Sequence, residues 1–168
     1  STTAASALAF PAVLKSQPAG TPSPNNRLNV AIIGAGGRGG AAVQGMKDEN
    51  IVAICDVDAD RANGALKSFK EKFPDEAARH EGTARFNDYR KMFDQMHKEI
   101  DAVAIGIPDH HHYPATILAM KLGKHAYVEK PFCHIISEGR LLAEYAKKYK
   151  VATQMGNQGH CDDGYRSL

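Results

Sequence analysis

Residues 28–40 read Leu28-Asn29-Val30-Ala31-Ile32-Ile33-Gly34-Ala35-Gly36-Gly37-Arg38-Gly39-Gly40, an apolar run of strand length that ends in a cluster of glycines. Gly34 to Gly39 match G-x-G-x-x-G between an expected strand and an expected helix, and each glycine has a physical task. Gly34 permits the tight turn out of the strand. Gly36 lacks a Cβ, so backbone can approach a pyrophosphate, and Gly39 lets the helix lie close to the sheet. The helix N-terminus then presents free N–H groups and partial positive charge to phosphate. Gly37 and Arg38 lie in the same loop and join the expected cofactor contacts. Asp56 stands 22 residues after Gly34, at the end of the next apolar run. That matches the spacing of about 20 for an acid that accepts hydrogen bonds from a ribose. A carboxylate there repels a 2′-phosphate, so NAD is favoured over NADP, with Arg61 as the nearby cation that softens the preference.

Working outward, the chain alternates short apolar runs with amphipathic stretches. Ile51–Cys55, Asp101–Ile105, His125–Val128 and Val151–Met155 are further strands, and Thr83–Phe86 is a weaker one. These runs lack strict polar–apolar alternation, as expected of a parallel sheet covered by helices on both faces. Helices are expected over Gly39–Lys47, Ala59–Lys72, Tyr89–His97, Tyr113–Leu122 and Ser137–Tyr149. The last carries Leu141, Leu142, Tyr145 and Tyr149 as its apolar stripe. Repeated βα units imply right-handed crossovers and an α/β, doubly wound, parallel-sheet Rossmann fold.

Composition narrows the class. Of the 168 residues, 43% are hydrophobic and 24% charged, as in globular proteins. A net charge of +2 with dispersed basic residues argues against nucleic acid as a partner. No run approaches the roughly 18 apolar residues of a membrane span. Three cysteines, Cys55, Cys133 and Cys161, are too few and too widely spaced for a disulfide framework or a Cys-x-x-Cys pair. Residues 1–27 are rich in Ala, Ser and Thr, then in Pro, Gly and Asn. They read as a leader and linker: the tail of an export signal, implying a periplasmic or exported protein, or else a flexible arm on a cytoplasmic one.

Two later stretches make the reading specific. Ile105-Gly106-Ile107-Pro108-Asp109-His110-His111-His112-Tyr113-Pro114 is followed by Gly123-Lys124-His125-Ala126-Tyr127-Val128, which leads directly into Glu129-Lys130-Pro131. With the glycine loop, this ordered set resembles the Gfo/Idh/MocA family of oxidoreductases from Asn29 to about Gly159. Gln154-Met155-Gly156-Asn157-Gln158-Gly159-His160 is similar to a branch of that family that often carries export signals. Asp109 departs from the pattern, since many members have Asn there.

The resemblance implies a Rossmann domain over 28–155 and a connection at 156–168 to a second α/β substrate domain absent from this chain. Without that domain the fragment is expected to be inactive, and the full-length protein is expected to be a homo-oligomer. The resemblance also makes Lys130 the catalytic residue, polarising or helping to deprotonate a substrate hydroxyl, with Glu129 on the nicotinamide ribose. Pro108 and His112 join the cofactor set, and Lys130, Gln158 and His160 face substrate. The implied function is NAD-dependent hydride transfer to or from a sugar, cyclitol or related polyol. An NAD-dependent glycoside hydrolase working by transient oxidation and a non-catalytic dinucleotide-binding module are the alternatives. His110-His111-His112 contains metal-ligand types, but adjacent side chains diverge, so a loop role is expected and no metal.

Overall fold

The computed structural model describes residues 26–161 and Gly164. Apart from Asn26 and Arg27, the expected leader lies outside the described residues, as does most of the stretch beyond Cys161. Six strands form one parallel sheet in the order β3-β2-β1-β4-β5-β6. They are β1 Asn29–Ile33, β2 Asn50–Cys55, β3 Ala84–Phe86, β4 Ala102–Ile105, β5 His125–Glu129 and β6 Thr153–Gly156. The helices are α1 Arg38–Gly45, α2 Ala59–Lys72, α3 Pro74–Ala77, α4 Tyr89–Met96, α5 Asp109–Lys121 and α6 Ile136–Tyr149. The order reverses between β1 and β4, which opens a crevice at their carboxyl ends.

The central strand shows why this arrangement is stable. Val30 and Ile32 of β1 pack on one face with Val43 of α1 and with Leu66 and Phe69 of α2. Ala31 and Ile33 pack on the other face with Met92 and Phe93 of α4 and Ala115 of α5. Every residue from Val30 to Ile33 is at most 3% exposed. Burial on both faces explains the unbroken apolar run read in the sequence. A smaller cluster joins α5 to α6 through Met120 and Leu142.

Three expectations need correction. α5 begins at Asp109, not Tyr113, so His110, His111 and His112 form its first turn rather than a loop. Pro114 favours a start at Tyr113, because proline prefers the first helical position. Here Pro108 occupies the N-cap, and Pro114 still lies near the helix start. The α6 stripe is narrower than expected, for Leu142 is buried while Leu141 is 38% exposed. Finally, β6 is an edge strand whose Thr153, Gln154 and Met155 stay exposed, so helices of the described residues do not cover it on both faces.

Beside β2 a short helical linkage replaces a strand. Pairing of β2 with β3 starts only at Ala53, which leaves the Ile51 peptide without a ladder partner on that side. His80 and Thr83 supply one. Ile51 N–H donates to His80 Nδ1 at 3.3 Å, and Thr83 Oγ1 donates to Ile51 O at 2.7 Å. His80 is 1% exposed, stands edge-on to Phe69, and leaves Nε2 buried without a partner. Burial, then the Arg79 charge, hold its pKa below the usual imidazole range. The folded protein therefore binds fewer protons here than the unfolded chain. Stability from this group is complete above the unfolded pKa of about 6.5 and falls as pH drops through the lowered folded value. Thermal unfolding midpoints of the wild type should decline over that acid window more steeply than those of His80→Gln, and parallel curves would exclude His80 as the source.

Candidate functional site

The crevice begins with backbone contact. Gly34 has φ of +84°, and its N–H donates to Cys55 O at 2.7 Å, which pins the turn to the end of β2. A Cβ on Gly34 would stand 2.4 Å from Gly106 O, and a Cβ on Gly39 would stand 1.9 Å from Gly34 O. The first turn of α1 thus rests directly on the ends of β1 and β4, with no room for a side chain. Gly39 N–H and Gly40 N–H turn back to Gly36 O and Gly37 O. Gly37 N–H and Arg38 N–H have no backbone partner among the described residues, so they are the donors left at the helix mouth. This arrangement fits a dinucleotide pyrophosphate.

A cleft of about 750 Å³ runs from the loop along the ends of β1, β2 and β4. Asp56 lines it. Its Oδ2 accepts from Ala35 N–H at 2.8 Å and Gly36 N–H at 3.3 Å, and its Oδ1 accepts from Asp58 N–H at 3.0 Å. The acid expected at a ribose is therefore also the group that ties the glycine loop to β2. Beside it, Val57 is 90% exposed over the cleft, an apolar surface of the kind a planar base covers. Cys55 lies beneath, where burial pushes its thiol up to about 12, so it is a packing residue and not a nucleophile. Tyr89 and Arg90 close the far side.

Gly36 departs from its expected role in one respect. The space a Cβ would fill is already taken by Arg61, whose Cδ lies 2.7 Å and Nη1 2.8 Å from that point. Arg61 is paired through Nε with Asp58 Oδ2 at 3.4 Å. A phosphate brought against Gly36 must displace this side chain.

A second group of residues gathers at the end of β5. Glu129 is 5% exposed, and Arg38 Nε lies 3.8 Å from its Oε2. Gln158 Nε2 donates to Glu129 Oε1 at 2.9 Å and Oε2 at 3.1 Å, and to Tyr127 Oη at 2.8 Å. Burial and the adjacent Glu129 charge push the Tyr127 phenol above its usual pKa. A Cβ on Gly156 would fall 2.6 Å from Tyr127 Oη and 2.9 Å from both Gln158 Nε2 and Glu129 Oε2. The Gln158 amide nitrogen, read in the sequence as facing substrate, is thus spent on Glu129 and Tyr127. His160 is exposed in the same 3₁₀ turn, Gln158–Cys161.

Lys130 follows Glu129 and is exposed, and the Lys130–Pro131 bond is cis. His112 is 1% exposed, and its Nδ1–H donates to Pro131 O at 2.5 Å. It reaches the Glu129-Lys130-Pro131 turn through that carbonyl, with Nε2 buried and unpartnered. Pro108 lines the cleft from the start of α5. No group of three or more His, Cys, Asp or Glu able to hold a metal occurs among the described residues. Nor is any helix among them long and apolar enough to cross a membrane.

The sequence reading missed Tyr127, Gly156 and Gly106. Gly106 follows β4 as Gly34 follows β1, and Gly156 is the last residue of β6; a glycine at each of these strand ends was the available signal.

Residues 28–157 match the oxidoreductase family with an NAD-binding Rossmann fold. The chain belongs to the Gfo/Idh/MocA family. It is 35% identical over 107 residues to a glycosyl hydrolase family 109 protein of Streptomyces coelicolor, covering 62% of this chain and 22% of that relative. An inositol 2-dehydrogenase of Salmonella typhimurium is 26% identical over 119 residues, 70% of this chain and 32% of the relative. The solved structure of myo-inositol 2-dehydrogenase from Lactobacillus plantarum matches with a TM-score of 0.64 at 27% identity, over 84% of this chain and 39% of that one. The chain therefore corresponds to about a third or less of the length of these two curated relatives.

The glycine contacts yield a graded expectation. Gly39→Ala forces a methyl group into backbone and should unfold at markedly lower urea concentration than wild type. Gly64→Ala, in the interior of α2, meets open space and should keep or slightly raise the midpoint, by about 0.5–1 kcal/mol of helix preference. Equal urea midpoints for the two variants would contradict the close packing of α1 on β1 and β4.

Proposed function

We propose that this chain is the cofactor-binding part of an NAD-dependent oxidoreductase that moves hydride between nicotinamide and a sugar, cyclitol or related polyol. The observation that carries the proposal is one of placement. Glu129 and Lys130 stand at the carboxyl end of β5, on the same sheet edge as the glycine loop after β1 and Asp56 after β2. Ligands of doubly wound sheets bind along this edge.

In this reading Gly37 N–H and Arg38 N–H receive the pyrophosphate, Asp56 holds the adenosine ribose, and Glu129 holds the nicotinamide ribose. Bound NAD supplies the hydride acceptor. Lys130 Nζ polarises the substrate hydroxyl and receives its proton as the C–H bond is broken. His112 steadies the Lys130–Pro131 turn through Pro131 O. Val57 gives the adenine an apolar wall. The wall around the substrate belongs to a second domain of the kind that the relatives' greater length accommodates.

The family 109 relative favours a second reading, glycoside cleavage by transient oxidation, which uses the same cofactor residues and releases no net NADH. In the full-length protein, NADH absorbance rising in step with polyol consumption supports the dehydrogenase, whereas glycoside cleavage without NADH accumulation replaces it with the hydrolase. Under either chemistry Lys130→Ala should lower kcat by about 10²–10⁴-fold while NAD still binds. Unchanged turnover would remove Lys130 from the chemistry, and NAD binding without turnover of any polyol or glycoside would leave only a dinucleotide-binding module. Cofactor preference has a separate check. Asp56→Asn keeps an acceptor for the loop N–H groups but removes the charge, so the ratio of NAD to NADP affinity should narrow about tenfold.

A further inference from the structure

Glu129, Tyr127 and Gln158 form a closed polar ring whose protons can be counted. The Gln158 amide has two hydrogens. One is shared between Glu129 Oε1 and Oε2, and the other goes to Tyr127 Oη. The Tyr127 hydroxyl, having accepted from Gln158, has its own proton for Glu129 Oε1, 3.5 Å away. Glu129 accepts throughout and donates nothing. Register explains how the three meet, because Glu129 lies beside Gly156 across the β5–β6 ladder, and Tyr127 lies beside Gln154. Gly156 leaves vacant the one spot where a side chain would break the ring. On its other side Glu129 faces Arg38 of the glycine loop.

We propose that Tyr127 and Gln158 are positioning residues for cofactor binding. They fix the Glu129 carboxylate between the glycine loop and residues 157–161, so that seating the dinucleotide also orders the segment that follows β6. The proposal rests on the reading of Glu129 as a cofactor ligand. Neither Tyr127 nor Gln158 touches the cofactor in this scheme. A neutral amide is required at position 158, since a second acid would set two carboxylates against each other. Such a pair shares a proton and titrates well above the ordinary carboxylate range.

The experiment is calorimetric titration of the chain with NAD at pH 8 and pH 5, with amide exchange of residues 157–161 followed with and without NAD. Tyr127→Phe should weaken binding about threefold or more at both pH values, with its urea midpoint close to wild type. Gln158→Leu should weaken it about tenfold or more and abolish the NAD-dependent slowing of exchange in 157–161. Gln158→Glu should bind poorly at pH 8 and recover at pH 5, a pH dependence that the wild type lacks and that a packing role would not produce. Wild-type affinity in Tyr127→Phe together with a Gln158→Glu profile that follows wild type overturns the positioning role and leaves the proposed function standing. Failure of the wild-type chain to bind NAD overturns both.

Discussion

At Gly39 the helix backbone comes so close to the carbonyl of Gly34 that a single methyl group would stand 1.9 Å from that oxygen. Gly106, at the end of β4, closes the contact from the other side: a Cβ there would meet Gly39 Cα at 2.9 Å. Gly34 and Gly39 of one loop and Gly106, far along the chain, thus meet as bare backbone at the point where the sheet order reverses. The approach sets the height of α1 above the sheet. It therefore also sets where the unpaired N–H groups of Gly37 and Arg38 point. Asp56 locks the loop from the β2 side through Ala35 and Gly36. The site's geometry follows from this packing constraint before any ligand is considered.

A second consequence is a division of labour along the sheet edge. From β1 toward β2 the cleft offers a carboxylate, an exposed valine and aromatic walls. From β1 toward β5 the sheet edge carries an exposed lysine and a buried carboxylate held in place by Gln158 and Tyr127. Under the proposed function this polarity assigns one end to recognising a nucleoside and the other to the reaction. His112 links the scaffold to the Glu129-Lys130-Pro131 turn while staying buried, because its ring nitrogen holds Pro131 O and its backbone carbonyl accepts from Thr116 Oγ1 at 2.6 Å.

Much of this was legible in the sequence wherever local pattern and tertiary role coincide. The buried strands announced themselves as apolar runs, and the glycine loop and Asp56 were found by spacing, because the loop must be short and the acid must end the next strand. Legibility failed where a cue had two meanings. Pro114 suggested a helix start, yet the helix had already begun at Asp109. It failed again where the determining fact was register. Residues 127, 129, 156 and 158 meet only because β5 and β6 run side by side with Glu129 opposite Gly156, and no local pattern encodes that pairing. Gly36 is a third case. The sequence shows that space is available there but not that Arg61 uses it.

Arg61 gives the cleft an internal counterion. The position that a phosphate would approach is held by a cation tethered to its own helix and balanced by Asp58. Binding is therefore an exchange of partners, in which Arg61 leaves one anion as another arrives, and the loop itself need not rearrange. Salt then acts in opposing directions, screening the attraction between loop and phosphate while loosening the Arg61–Asp58 pair that must open. An affinity built on such an exchange changes less with ionic strength than the charge of a pyrophosphate alone would suggest.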